Sequence, residues 1–243
     1  VVGDNAFYSA GARQYNTVMG SGAMYDATTA SSNVSIGYQS LANLTIGDSN
    51  TVIGYQAGDA MTATANTVLI GQSAGGSINS TDADGTVAIG YQALTGLTSG
   101  GTNTALGYRA GASLTTGGNN VAIGHNSFVN AVDTCNSNIA IGSQAMISVD
   151  RGSNGSATVN GNIAIGYNAL AGGDFVSADK DLVGNIAIGK NALDHTAANT
   201  ATGLVAVGHE ALTALTSGTK NTAVGYQAGD TITNGDTNTL IGY

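Results

Sequence analysis

The 243-residue sequence contains no proline and no tryptophan, and only 9% of its residues are charged. That composition is foreign to an ordinary globular domain. Six lysines and arginines against fifteen acidic residues leave a formal charge of −9. This excludes nucleic acid as a partner, which would need a cationic patch, and suits solubility in an extracellular setting. No run approaches the ~20 apolar residues of a membrane-spanning helix, so no membrane contact is expected within this segment. The single cysteine, Cys135, excludes a disulfide framework within the chain. It reads as a small semi-buried residue, the alternative being a bond between protomers. A start methionine and a signal peptide are also missing: the chain opens at VVGDN and closes at NTLIGY. Both ends read as cuts through a longer array, since true ends of such arrays carry atypical capping repeats.

What is present is repetition. Residues 221–230 read NTAVGYQAGD and residues 50–59 read NTVIGYQAGD, two differences across 171 positions. A glycine closing each short apolar run gives the register: Gly3, Gly20, Gly37, Gly54, Gly71, Gly90, Gly107, Gly124, Gly142, Gly166, Gly189, Gly208, Gly225 and Gly242. Their spacings are 17, 17, 17, 17, 19, 17, 17, 18, 24, 23, 19, 17 and 17. A basic period of 17 with extra residues in a few turns is the signature of a stacked unit, and it covers residues 1–243 as a single array. Disorder does not fit, because hydrophobic residues make up 42% of the chain and valine, isoleucine and threonine recur on schedule.

Aligned on the glycine, each position has a character. The residue before it is large and apolar, as at Ile36, Ile53, Leu106, Ile141, Ile188, Val224 and Ile241, and is expected to point into a core. Three residues before it stands Thr, Val or Ile, as at Thr51, Val121, Ile139, Ile163 and Thr222, which favours a strand. Between them lies mostly alanine, as at Ala88, Ala105, Ala122, Ala140, Ala164, Ala187, Ala206 and Ala223. It faces the opposite way in a strand. A further apolar residue follows seven positions after the glycine, at Leu44, Met61, Ile78, Leu97, Leu114, Leu215 and Ile232. Then comes Thr-Gly-Asn-Thr chemistry read as a turn. So much Gly, Asn and Thr argues against helix at almost every position.

The expectation is an all-β fold: a parallel β-solenoid, or β-roll, of about fourteen coils, identical strands stacking at ~4.8 Å into a rod about 60 Å long. The alanine face would still need cover. Three copies packed around an axis would supply it, which makes the partner the chain itself, in a parallel homotrimer.

The runs NVAIG, NIAIG and TVAIG, each followed two residues later by Gln or Asn and then Ala or Ser, resemble the head repeats of trimeric autotransporter adhesins of the YadA type. The longer form with GYQAG and LTxGxxNT resembles repeats of phage tail fibres. The resemblance covers essentially the whole chain and implies tight trimers of left-handed parallel β-rolls. The 17-residue repeat with tyrosine after the glycine leans toward the fibre family.

Motifs for chemistry are few, and neither a cofactor nor an enzymatic activity is expected. His125, His195 and His209 lack metal-ligand spacing. Asp82, Asp84 and Gly85 in TDADG share part of a calcium loop but lack its later glutamate, and read as a solvated turn. Acidic residues spread over the turns disfavour a polysaccharide lyase or hydrolase on a β-solenoid. Tyr38, Tyr55, Tyr91, Tyr108, Tyr167, Tyr226 and Tyr243 share the slot after the glycine. They are expected to form an aromatic ladder that braces the stack, sugar binding being the alternative. The spacings of 24 and 23 place longer loops at 149–161 and 171–184. These gather Arg151, Asp174, Phe175, Asp179, Lys180 and Asp181, the candidate contacts for a host-cell surface glycan or protein. The functional expectation is a structural fibre segment of a virion, extracellular and on the virion surface, giving reach and host attachment. The alternative is the head of a bacterial trimeric autotransporter adhesin on the bacterial outer surface.

Overall fold

The computed structural model describes residues 1–9, 14–130, 135–149, 158–172, 181–195 and 200–243. The chain divides into two units, Val1–Asn119 and Asn120–Tyr243, and each is a parallel β-solenoid with about one coil per 17 residues.

In the first unit each coil contributes one three-residue strand: β1 (Thr17–Met19), β2 (Val34–Ile36), β3 (Thr51–Ile53), β4 (Val68–Ile70), β5 (Val87–Ile89) and β6 (Thr104–Leu106). Consecutive strands pair in parallel and in register, so that Ile36 lies beside Ile53 and Val68 beside Val87. Val2 makes an isolated parallel bridge to Met19, which gives the first marker glycine its place in the stack. The 19-residue coil accommodates its extra residues in a 3-10 turn over Thr81–Ala83, capped by the Ser80 hydroxyl.

The second unit repeats the plan with β7 (Val121–Ile123), β8 (Ile139–Ile141), β10 (Ile163–Ile165), β12 (Ile186–Ile188), β14 (Val205–Val207), β15 (Thr222–Val224) and β16 (Thr239–Ile241). It adds a second, three-stranded parallel sheet made by β9 (Val159–Asn160), β11 (Leu182–Val183) and β13 (Ala201–Thr202). Val159, Leu182 and Ala201 stand seven positions before their glycines, a slot that Thr64 and Gly117 hold in the first unit, so this sheet forms from residues of the common period. Asn136 extends this sheet through a bridge to Asn160.

The strand faces are the reverse of the sequence expectation. Ala88, Ala105, Ala140, Ala164, Ala187, Ala206 and Ala223 are fully buried inside the coil. Ile36, Ile53, Ile141 and their equivalents sit on the outer face, half-buried or exposed, with Leu106 at 46%. Interior volume explains the inversion. The lumen of a 17-residue coil is already filled by the residues four and seven positions after the glycine, such as Leu94 and Leu97, which are buried. Only a small side chain fits beside them at interior density. Volumes trade between the slots accordingly. Leu69 occupies the alanine slot where Gly58 and Gly75 occupy the leucine slot, and a Cβ on either glycine would stand 2.9 Å from a Leu69 methyl.

Ala164→Leu therefore overpacks the interior of the coil rather than a face between chains. Its level neighbours Ala140 and Ala187 are equally buried, and the expected cost is roughly 1 to 3 kcal/mol. Urea titration at several protein concentrations checks the location, because an internal clash gives the same loss at each concentration.

The polar residue four positions before the glycine, expected in a turn, lies inside. Asn33, Asn50, Asn103, Asn120, Asn138, Asn162, Asn185 and Asn221 are buried. In the second unit the Asn162 Oδ1 accepts from the backbone N–H and the side-chain amide of Asn185, both at 3.0 Å. The Asn162 amide donates to Leu182 C=O at 2.7 Å and to Asn138 Oδ1 at 3.0 Å. The same ladder runs through Asn16, Asn33 and Asn50 in the first unit. It satisfies backbone groups at the corner of the coil that no strand pairing reaches.

Candidate interaction surface

Two ranks of apolar side chains line the outer face of the three-residue strands in each unit. In the first unit Val34, Val68 and Val87 form one rank with Thr51, and Ile36, Ile53, Ile70 and Ile89 the other; all are partly exposed. In the second unit Ile139, Ile163, Ile186 and Val205 run beside Ile141, Ile165, Ile188 and Val207. Registered pairing at every step makes each rank continuous within its unit, and β-branched residues suit a pleated surface. A contiguous apolar band of this kind, unlike a scattered leucine, is a candidate interaction surface.

The tyrosine slot forms stacks. Tyr38 lies on Tyr55 at 5.2 Å between centroids and 16° between planes, Tyr91 on Tyr108 at 5.1 Å and 13°, and Tyr226 on Tyr243 at 5.3 Å and 16°. His209 continues the last stack, 5.2 Å from Tyr226 and 7° from parallel, so histidine here substitutes for tyrosine as a stacking ring. Tyr167 is exposed at 47% between the coils that carry Ser143 and Lys190 in the slot. A separate stack, unforeseen from the sequence, joins Tyr8 and Tyr25 at 5.1 Å and 4°. Its signal was the recurrence of tyrosine five positions after Gly3 and Gly20. Glutamine in the next slot adds a parallel ladder, with Gln56 Nε2 donating to Gln39 Oε1 at 3.0 Å. These contacts brace adjacent coils in the way side-chain pairs brace any sheet.

Of the six loop candidates, Arg151, Asp174, Phe175, Asp179 and Lys180 lie outside the described residues. Asp181 is described and exposed, and its Oδ1 accepts from the Thr158 backbone N–H at 2.7 Å. The ends of the two expected loops belong to the core: Val149 and Leu182 are fully buried, and Val159 and Ala171 nearly so.

Reactive chemistry is sparse. Cys135 is buried with 0% exposure, so its thiol cannot bridge to another protomer from this position. Asp84 serves the stack, its Oδ1 accepting from Ala65 N–H at 2.8 Å. His195 Nδ1 lies 3.1 Å from Thr213 C=O. His209 Nδ1 stands 3.7 Å from Glu210 Oε2. The Gln227 amide, donating to that carboxylate at 2.8 Å, holds Glu210 below the usual range. Among the described residues no group of three or more His, Cys, Asp or Glu is placed to hold a metal ion, and no helix is long and apolar enough to cross a membrane.

Desolvation pushes the Asp194 carboxyl above its ordinary value of 3.8, opposed by the nearby His195. The folded state thus binds this proton more tightly than the unfolded state. The ionised group costs stability above the raised value, and the cost disappears as the pH falls below 3.8. Asp194→Asn is expected to raise the urea midpoint at about pH 7 and to leave it unchanged at about pH 3.

Comparisons with protein-family models, with curated proteins and with solved structures find no match.

Proposed function

We propose that the chain is a structural fibre segment of a virion that assembles through its outer apolar ranks as a parallel homotrimer. The observation that carries this reading is the continuous, half-exposed valine and isoleucine band on each unit, which a parallel copy of the same chain complements coil by coil. Three copies around an axis enclose it. The alanine face assumed from the sequence is already filled from within, so the assembly surface moves to its neighbours in the strand. The buried side-chain ladders add hydrogen bonds between successive coils, which suits a part whose work is reach. Contact with a host-surface glycan or protein is assigned to the insertions around 149–161 and 171–184, because loops on a rigid scaffold carry recognition and a trimer presents each one three times.

Sedimentation of the intact chain at micromolar concentration tests the assembly. A trimer is expected, and Ile89→Lys with Ile165→Lys should yield folded monomers. A folded monomer from the unsubstituted chain would remove the reading. Immunogold labelling with an antibody to the chain should decorate a virion appendage; decoration of a bacterial outer surface would instead favour the adhesin head. Shortening both insertions to the 17-residue period should abolish host-cell binding while leaving the trimer.

A further inference from the structure

In the first unit a groove of about 460 Å³ opens where both tyrosine stacks stop. Tyr25 rests on Tyr8, but one coil further its slot holds Ala42. Tyr38 rests on Tyr55, but one coil earlier its slot holds Ser21. The adjacency of these slots is fixed by the backbone: Asp26 N–H donates to Ala42 C=O at 3.0 Å, and Gln39 N–H to Ser21 C=O at 2.9 Å. Each stack therefore leaves one ring face uncovered, and Tyr25, Tyr38, Ser21 and Ala42 all line the groove. The volume lies in the range of small-molecule sites.

The remaining walls are acidic and amide. Asp26 and Asp59 line the groove together with Asn5 and Asn43, and the Asn43 amide donates to Asp59 C=O at 2.6 Å. Burial, only partly offset by backbone N–H groups, holds the Asp59 carboxyl above the usual range, so its charge is poorly compensated where it stands. Among the described residues no lysine or arginine lines the site. Anions are repelled by this arrangement. A neutral sugar could stack on tyrosine but would leave both carboxylates without a counter-charge, whereas a cation interacts with the carboxylates and with the ring faces together.

We propose that this groove binds an organic ammonium ion, with its cationic end over the open ring faces of Tyr25 and Tyr38 and its N–H groups directed to Asp26 and Asp59. The shared chemistry is a primary alkylammonium, supplied either by a free diamine or by a lysyl side chain. The inference does not depend on the fibre reading.

Titration calorimetry with putrescine and with Nα-acetyl-lysine methylamide, at low ionic strength on the intact chain, tests it. Saturable binding that weakens with salt is expected. Saturation by putrescine alone identifies a free diamine as the source, and saturation by both admits a lysyl side chain. Asp59→Asn and Tyr25→Leu should each weaken binding roughly five- to thirtyfold. Tyr167→Leu, in the other unit, should leave it unchanged. Ser21→Tyr leaves every contacting side chain in place but continues the tyrosine stack over the open face of Tyr38, and should abolish binding with circular dichroism unaltered. Equal binding of methyl glucoside, or unchanged affinity in Ser21→Tyr, would overturn the proposal, as would absence of saturation by either ammonium probe.

Discussion

Gly54→Ala is expected to cost about 4 kcal/mol or more and to lower the urea midpoint of the first unit more than any interior apolar truncation there. Two independent effects combine. The backbone at Gly54 has φ +147°, a region that side chains rarely adopt, and holding another residue there costs roughly 1 to 3 kcal/mol. A Cβ would also stand 2.6 Å from the carbonyl carbon of Gly71 and closer still to its oxygen. Those atoms belong to the backbone of the next coil, so relief requires prising two coils apart. Gly85 provides the control: its φ is +76°, a Cβ there would find its nearest neighbour at 3.5 Å, and Asn66 holds the equivalent slot with φ +59°. Gly85→Asn is expected to cost about 1 kcal/mol or less, and the difference between the two midpoints measures the combined cost of backbone conformation and inter-coil contact at Gly54.

Asn162→Ala is the second large effect, expected at about 2 to 5 kcal/mol. Removing the amide orphans the buried Leu182 carbonyl and the Asn185 backbone N–H, and takes one donor from Asn138. Each buried group left unsatisfied costs roughly 1 to 3 kcal/mol. Asn162→Asp separates polarity from size: it keeps the acceptor for Asn185 but loses the donor to Leu182 and sets a charge in the interior, so it should be at least as damaging at neutral pH. Amide hydrogen exchange at Asn185 and Ile163 reads the local opening directly.

The period, the strand within it and the glycine that ends it are legible in the sequence because each depends on backbone chemistry that only a few residue types satisfy. The inward face is not. Both faces of the strand are apolar, so alternation carries no contrast, and the larger residue reads as the buried one. In a narrow coil the smaller residue is inside. The asparagine ladder was hidden for a related reason. Asparagine beside glycine and threonine has turn chemistry, and its burial arises only when coils stack. The recurrence of one polar residue type in one slot, from Asn33 to Asn221, was the available signal. Left-handed backbone two and four positions after the glycine, at Gln39 and Leu41 or Gln92 and Leu94, explains why glycine recurs in that last slot among large apolar residues such as Leu41, Met146 and Phe128. The large residue fills the core at a conformational cost; glycine relaxes the backbone, and at Gly58, Gly75 and Gly229 a leucine of the strand, Leu69 or Leu240, takes up the space. Among the interaction candidates, the tyrosine slot was recognisable from periodicity. The groove was not, because it consists of interruptions at Ser21 and Ala42.

The short second sheet formed by β9, β11 and β13 also bears on how the chain finds its alignment. Near-identical coils could pair one repeat out of step at little energetic loss, and a slipped stack would keep its glycine, asparagine and tyrosine columns. Val159, Leu182 and Ala201 fill a slot that Gly218 and Gly235 hold in later coils, and the coils that carry them exceed the 17-residue period, so a slip in the second unit would mismatch both volume and length. Among the described residues of the first unit the 3-10 turn at Thr81–Ala83 occurs in one coil. The departures from the period thus act as keys that make one alignment distinguishable from its neighbours. Trimming them to the common length should leave every coil able to form while slowing folding through misaligned intermediates.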